Sequence, residues 1–283
     1  MKIRKHRLID DDGQNVPFSK TKNKGGKLVG GKPAALIIHY TAGDSASGAI
    51  RWFKNRESEA SAHLVIDHDG SITQMVDFDT VGWHAGTSRW RGGRSVNRYS
   101  VGIEIVNWGK LSKSGSGEWV SRTGSSVAST RVIVAEHKHS PGKEHGWEMF
   151  REPQMDACLR AAKAIVTEYE IKPWDLVGHD DITPRRKIDP GPAFDMDAFR
   201  SQVFGRMEDS WNSDLYRVIA EDGLNMRRDP SLAKKPLKNL PKGTVVHLIE
   251  KTSTWWLVAE VLAGNDDVTG FVHSSWLEPV ESV

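Results

Sequence analysis

The chain has little cysteine, little net charge and no long hydrophobic run. Its one cysteine, Cys158, excludes a disulfide framework within the chain and fits a reducing compartment. The formal net charge is only +2 over 283 residues. Apolar runs such as residues 34–38 are strand-sized, whereas a membrane helix needs roughly 18 to 20 apolar residues. A disulfide-stapled small domain and a membrane-spanning protein are therefore both excluded.

The start of the chain has positive charges but no apolar segment behind them, so we expect no secretory signal peptide. Residues 1–33 hold nine Lys and Arg against three Asp, a local charge of +6. Such a lead-in could bind nucleic acid or an anionic cell wall, although a solvated tail is the commoner explanation. Because no nucleic-acid motif accompanies it, we expect no nucleic-acid partner. We interpret residues 1–33 as an irregular basic lead-in with at most one edge strand.

The remaining composition is that of an ordinary globular protein, and the length predicts about two domains. Hydrophobic residues make up 38%, charged residues 27%, and the mean hydropathy is -0.49. Residues 34–203 alternate strand-like and helix-like patterns, which predicts an α/β domain with a central mixed sheet flanked by helices. The clearest helix runs over residues 152–171, and its apolar stripe includes Cys158. An Asp-Gly pair at residues 69–70 predicts a hairpin.

Two polar stretches in this region are predicted to be surface loops or insertions. Lys110–Val127 is rich in Gly and Ser, and His137–Trp147 is polar and rich in His. Between them, the pattern of residues 129–137 fits a helix or a strand equally well.

The C-terminal part differs in kind. Residues 215–283 contain short β-like runs separated by Pro, Gly and Asn, which predicts a small all-β barrel. The pattern weakens over residues 204–214, which we interpret as a linker.

Three polar residues lie where strands end or where a loop is stiffened by proline and glycine. They are His39, His179 and Asp189. Two imidazoles and a carboxylate can bind zinc and leave a fourth position for water. Their spacing is not a diagnostic zinc signature, and a lone His at a strand end is more often structural.

Two further residues are candidates for chemistry. Glu104 is flanked by Ile103 and Ile105 in a predicted strand, so it faces away from both, towards either solvent or a site. Considered alone, the segment around Glu104 favours a side chain that faces solvent. Lys187 lies two residues before Asp189, close enough to approach the same substrate, but a surface lysine is the simpler interpretation.

Several segments in residues 34–200 resemble a known family. They are LIIHYTAG, SAHLVIDHDGSITQMVD, VGWHAGTSRW, YSVGIEIVN and GHDDITPRRKIDPGPAFDM. Together they resemble the zinc-dependent N-acetylmuramoyl-L-alanine amidases of the type-2 amidase family, which includes phage lysozyme-type amidases, cell-wall recycling amidases and peptidoglycan recognition proteins.

The resemblance implies a role for each of several residues. It implies that zinc is bound by His39, His179 and Asp189. It places Glu104 at the catalytic glutamate, Lys187 at the lysine that stabilises the transition state, and Trp83 and His84 on the wall of the substrate groove. The sequence departs from the phage lysozyme branch at Ala62, where that branch has a tyrosine, and at Asp189, where it has a cysteine. Both departures match the recycling branch, in which the glutamate acts as the base.

The C-terminal runs LNMRRDPS, WWLVAE and GFVHSSWL resemble the bacterial SH3-like domains of cell-wall hydrolases. We expect Trp255 and Trp256 to line a binding groove and Trp276 to lie in the core. A purely structural cap is the alternative for this domain.

The resemblance implies an enzyme that hydrolyses the amide bond between N-acetylmuramic acid and the L-alanine of the stem peptide, with peptidoglycan as its partner. We expect a phage or prophage lysin-like hydrolase, or one delivered to the wall by another system after synthesis in the cytoplasm. The alternatives are a cytoplasmic muropeptide-recycling amidase and a non-catalytic peptidoglycan-binding protein.

Overall fold

The structure, a computed structural model, describes residues 1–91, 93–183, 186–205, 215–233, 235–251, 254–260 and 269–280. The chain divides into two compact units. The first consists of Met1–Ser88 and Ser95–Gly205, and the second of Arg89–Arg94 and Arg206–Val283. None of the helices in the described ranges is long and apolar enough to cross a membrane. Of the predicted linker, residues 206–214 lie outside the described residues.

The regular elements are numbered in chain order. The strands as far as residue 178 are β1 (Lys2–Arg4), β2 (Arg7–Ile9), β3 (Lys24–Lys27), β4 (Ala35–Tyr40), β5 (Leu64–Ile66), β6 (Ile72–Gln74), β7 (Thr80–Gly82), β8 (Arg89–Trp90), β9 (Gly93–Arg94), β10 (Ser100–Ile105), β11 (Lys110–Lys113), β12 (Trp119–Val120), β13 (Ser126–Val127), β14 (Val132–His137), β15 (Ser140–Glu148) and β16 (Leu176–Gly178). The α-helices are α1 (Ala46–Lys54), α2 (Glu152–Tyr169), α3 (His179–Ile182) and α4 (Met196–Phe204).

A five-stranded mixed sheet forms the centre of the first unit, in the order β16-β4-β10-β5-β6. The first four strands are parallel to one another, and β6 pairs antiparallel with β5 through the hairpin predicted at residues 69–70. Near-continuous apolar runs in β4 and β10 suit strands that are covered on both faces. The mixed sheet flanked by helices is confirmed.

The two faces of this sheet are covered by different helices. Alternate residues such as Ile38 and Ile103 form one hydrophobic core with α2, where Cys158 is buried as predicted. On the other face Val65 packs in a smaller cluster with Phe53 of α1. The side chain of Ser45 caps α1 by accepting a hydrogen bond from the Gly48 amide. The second face also carries the polar residues described below.

The N-terminal segment is more ordered than an irregular lead-in. Strands β1 and β2 form a hairpin, and β3 pairs with β7. Leu8, Val16 and Leu28 are at most 5% exposed, and Leu8 and Val16 belong to the main core. A few apolar residues between the charged ones suffice to attach this segment, because the charged side chains can point to solvent.

The prediction of surface loops is wrong for Lys110–Val127 and for His137–Trp147. Together with the stretch between them, they form a second five-stranded antiparallel sheet, in the order β13-β12-β11-β15-β14. The stretch that fitted a helix or a strand equally well is the edge strand β14. Gly117 and Gly124 adopt positive φ at turns, so the glycines and serines there mark hairpin turns rather than a structureless loop, whereas Gly142, also at positive φ, lies within β15.

The second unit is all-β in the residues described, as expected. Besides β8 and β9, its strands are β17 (Leu215–Val218), β18 (Leu224–Met226), β19 (Lys238–Leu240), β20 (Val245–Lys251), β21 (Trp255–Glu260), β22 (Thr269–His273) and β23 (Leu277–Pro279). Five of these later strands form an antiparallel sheet in the order β22-β21-β20-β17-β23, and β18 pairs with β19.

The expectation that Trp276 lies in the core of the second unit is wrong. Trp276 is 50% exposed, whereas Trp256 packs against the core with its ring 4.8 Å from that of Tyr216. Trp255 and Trp256 are neighbours in β21, so they face opposite sides of the strand and do not line one groove together. Trp255 lies edge-on to His273 at 5.5 Å.

Candidate active site

Three of the predicted residues come from neighbouring parallel strands. His39 is the next-to-last residue of β4, and Glu104 is its direct neighbour on β10. His179 begins α3 immediately after β16. Because β16, β4 and β10 are adjacent and parallel, their carboxyl ends meet at one edge of the sheet. Ligands of open α/β sheets bind at this edge.

The three predicted ligands converge there. The Nδ1 atoms of His39 and His179 are 2.9 Å apart, and each lies within 3.0 Å of Oδ2 of Asp189. All three residues are buried. Asp189 is held in place by its main chain, since its carbonyl accepts a hydrogen bond of 2.8 Å from the Asp180 amide at the start of α3. Within the described residues, this is the one cluster of His, Cys, Asp or Glu with metal-binding geometry.

The donor set fits a metal cation. Nε2 of His179 lies 3.2 Å from the carbonyl of Ala85, which can only accept, so Nε2 carries the hydrogen. Nδ1 is then the ring nitrogen that is left to bind a cation beside the Asp189 carboxylate. A cation at the centre of the triangle would satisfy these atoms together, and two imidazoles with one carboxylate are typical zinc ligands.

Electrostatics favour the metal-binding forms of these side chains. Burial, aided by the neighbouring His179, lowers the pKa of His39 to about 4, so the ring is neutral at pH 7. Burial alone would raise the pKa of Asp189, but contacts with His179 and His39 hold it below its usual value. A neutral imidazole and an ionised carboxylate are the forms that bind metal.

Glu104 faces the site and not bulk solvent. It lies on the same face of the sheet as His39, while Ile103 and Ile105 point into the opposite core. Its Oε2 atom is buried and finds no hydrogen-bond partner among the described residues. Burial, together with the nearby Asp189, raises its pKa well above the usual value, and Lys187 opposes this. A carboxylate with an elevated pKa and a free oxygen is suited to accept a proton from substrate water.

Lys187 lies half-buried beside this cluster. Its positive charge lowers the pKa of both His39 and Glu104, so it is near enough to act on charge that develops in the site. It follows Arg186, whose guanidinium donates to the carbonyls of Ala85 and Thr87.

The structure places His84 behind the ligands and not on a groove wall. The ring is 8% exposed, and its Nδ1 lies 3.0 Å from Nε2 of His39. Gly102 of β10 and His39 cover the ring, which argues against direct contact with substrate, and the predicted role of His84 stays untested. Trp83, its neighbour, is partly exposed, and its role in binding substrate stays a prediction.

Comparison with known proteins identifies the family of the chain. Residues 29–192, more than half of the chain, match the family model Amidase_2, described as N-acetylmuramoyl-L-alanine amidase. The chain belongs to this amidase family. Residues 222–278 match the bacterial SH3 domain model.

Among curated relatives of this amidase domain, the N-acetylmuramoyl-L-alanine amidase AmiD of Escherichia coli is 31% identical over 64% of the chain and 57% of its own length. The 1,6-anhydro-N-acetylmuramyl-L-alanine amidase AmpD of Salmonella typhimurium is 29% identical over 50% of the chain and 57% of its own length. The chain therefore spans little more than half the length of these relatives. A crystal structure of an AmpD derivative has a TM-score of 0.49 at 22% identity, covering 71% of this chain and 99% of that one.

The sequence analysis did not identify the residues that contact His84 and Ala85 on the side away from the predicted ligands. Ser100 and Gly102 share the face of β10 that carries Glu104, and both approach His84. Asn97 accepts hydrogen bonds from the amides of His84 and Ala85. The two-residue alternation of SVGIEI was a signal for Ser100 and Gly102, but only once the face of Glu104 was known to be the site.

Proposed function

We propose that the protein hydrolyses the amide bond between N-acetylmuramic acid and the L-alanine of the peptidoglycan stem peptide. The observation that carries the proposal is the triangle of His39, His179 and Asp189 beside the unpartnered carboxylate of Glu104, in a chain of the amidase family. Zinc, held by these three residues, would supply an activated water and polarise the scissile carbonyl.

The protein side chains supply the proton transfers and part of the charge stabilisation. Glu104 would accept a proton from the attacking water at Oε2 and then pass it to the leaving amine of L-alanine. Lys187 would donate to the oxyanion as the carbonyl carbon becomes tetrahedral. The elevated pKa of Glu104 suits both halves of this cycle, because the carboxyl must take up a proton and release it again.

The bacterial SH3 unit would hold the enzyme on the cell wall and raise the local substrate concentration. Trp255 is the aromatic residue of β21 that we propose for contact with sugar or peptide, since Trp256 packs against the core. We propose action on intact wall as a lysin-like or delivered hydrolase after synthesis in the cytoplasm. The second candidate is the recycling of soluble anhydro-muropeptides, which the AmpD relatives' name favours.

The test is mass spectrometry of purified peptidoglycan treated with metal-free, zinc-restored and chelator-treated protein. We expect stem peptides that begin with L-alanine, released only when zinc is present. Intact linkages in all samples, from protein that still binds sacculi, would contradict the enzyme and support a binding protein.

A parallel assay on soluble anhydro-muropeptides distinguishes the two substrates. Faster turnover of the soluble substrate than of sacculi would favour the recycling role over the wall hydrolase.

A further inference from the structure

His84 occupies the middle of a buried hydrogen-bonded series behind His39. Nε2 of His39 lies 3.0 Å from Nδ1 of His84, and Nε2 of His84 lies 3.3 Å from Oγ of Ser100. The Ser100 hydroxyl in turn donates to the main-chain carbonyl of Val96 at 2.7 Å. The series thus runs from a metal ligand to a backbone group.

The Val96 carbonyl, which ends the series, determines which atom is the donor in each of its hydrogen bonds. A carbonyl can only accept, so the Ser100 hydrogen points to Val96 and its oxygen is left to accept from Nε2 of His84. A neutral His84 with its hydrogen on Nε2 has a lone pair on Nδ1. That lone pair accepts the Nε2 hydrogen of His39, and Nδ1 of His39 is left with its lone pair facing Asp189 and His179.

Packing fixes the position of the His84 ring. The ring lies against Gly102 of β10, where a Cβ atom would come within 2.5 Å of the ring carbon Cγ. Only glycine at position 102 leaves room for the His84 ring, so β10 fixes where this ring lies.

Ala85, the residue after His84, determines which nitrogen of His179 carries the hydrogen. The carbonyl of Ala85 accepts from Nε2 of His179 and from Arg186. Asn97 fixes the two-residue segment, since its Oδ1 atom accepts from the amides of His84 and Ala85 at 3.0 and 2.7 Å.

We propose that His84 is a positioning residue that selects the tautomer of His39, and that the segment His84–Ala85 leaves Nδ1 free on both imidazole ligands. The inference rests on the metal site of the proposed function but not on the substrate. It gives His84 a task other than substrate contact.

The first experiment measures zinc affinity of the full chain by competition with a chromophoric chelator. We expect His84→Leu to weaken zinc binding roughly 10- to 100-fold, as loss of a ligand's hydrogen-bond partner commonly does. His84→Asn, whose amide oxygen can accept near the place of Nδ1, should recover most of that loss. His63→Leu is the matched control, because His63 is equally buried but bonds to Thr80 and Gly102 and not to a ligand.

Equal losses in His84→Leu and His63→Leu would overturn the proposal. So would unchanged zinc affinity with a raised KM in His84→Leu, which would return His84 to the substrate groove.

The second measurement needs no variant that might fail to fold. In the metal-free protein with 15N-labelled histidine, long-range 1H–15N spectra report which nitrogen of each ring carries hydrogen. We expect hydrogen on Nε2 of both His39 and His84, and hydrogen on Nδ1 of either ring would overturn the proposal. Zinc affinity and the ring tautomers are measured without turnover, so failure of either is distinguishable from failure of the amidase assignment.

Discussion

At the scale of single residues, Glu104 is distinguished by what it does not contact. Its Oε2 atom is buried without a described partner, while most buried polar atoms in proteins are hydrogen-bonded. Leaving a carboxylate in this state costs stability, which is understandable if the missing partner is the reacting water.

Replacing this carboxylate isosterically should separate catalysis from metal binding. We expect Glu104→Gln to lower kcat about 100- to 10,000-fold, because the amide cannot take up a proton, while zinc affinity is retained. The measurement is release of stem peptides from peptidoglycan, with zinc content determined on the same sample. Full activity in this variant would assign the base to another group.

The role of Lys187 is tested in the same way. Lys187→Ala should keep its zinc and lose about 100- to 1,000-fold in rate, since one donor to the oxyanion is removed. Lys143→Ala, on the exposed β14–β15 hairpin, is the control for loss of a surface charge. Equal rates in the two variants would reduce Lys187 to a surface lysine.

At the scale of elements, the strands and helices that bury a continuous apolar face were predictable from sequence. Strand β4, helix α2 and the β5–β6 hairpin lie where the pattern placed them. The sheet of residues 110–148 was missed because strands such as β11 and β15 are polar and carry no alternating apolar pattern, so their pairing partners and not the local pattern define them. His39, His179 and Asp189 could be grouped as one metal site only by resemblance. His179 and Asp189 lie 140 and 150 positions after His39, and such separations in sequence do not predict a distance in space.

That second sheet has a specific contact with the site. The turn between β14 and β15 approaches α3, where Nε2 of His137 and Nζ of Lys138 each lie 3.0 Å from the carboxylate of Asp180. Asp180 is 3% exposed and directly follows His179, one of the proposed ligands. This contact holds the start of α3.

Breaking that contact should therefore be costly. Asp180→Ala leaves His137 and Lys138 without their carboxylate, and we expect a loss of about 3 kcal/mol in the free energy of unfolding, measured by urea denaturation. Asp156→Ala removes an exposed helical ion pair with Arg160 and should cost less than about 0.5 kcal/mol. Equal costs would mean that the β14–β15 turn does not hold α3.

At the scale of the whole molecule, stability should depend on pH through His63. Its ring is fully buried, and burial lowers its pKa to about 4, against about 6.5 in the unfolded chain. Between these values the unfolded chain binds a proton that the folded chain does not. The free energy of unfolding should therefore fall as pH decreases from about 6.5 to about 4, by on the order of 3 kcal/mol from this group.

Urea denaturation of metal-free protein at pH 7 and pH 5 measures this dependence. His63→Asn should show a smaller difference between the two pH values than the unmodified protein. The same difference in both proteins would contradict the assignment to His63.

Metal removal should also act on the whole first unit, because the ion would join segments far apart in the chain. A ligand that binds only the folded state at 1,000 times its dissociation constant adds about 4 kcal/mol. We expect chelation to lower the Tm of the unmodified protein, and to leave that of His179→Ala unchanged. A Tm that is insensitive to chelator would argue against metal binding.

The long separation of the ligands has a consequence for synthesis. His39 emerges from the ribosome early, whereas His179 and Asp189 follow 140 and 150 residues later. No nascent or truncated chain that stops before residue 189 can complete the triangle. The hydrolysis proposed above therefore requires translation to pass residue 189, and a shorter copy would lack the proposed metal site.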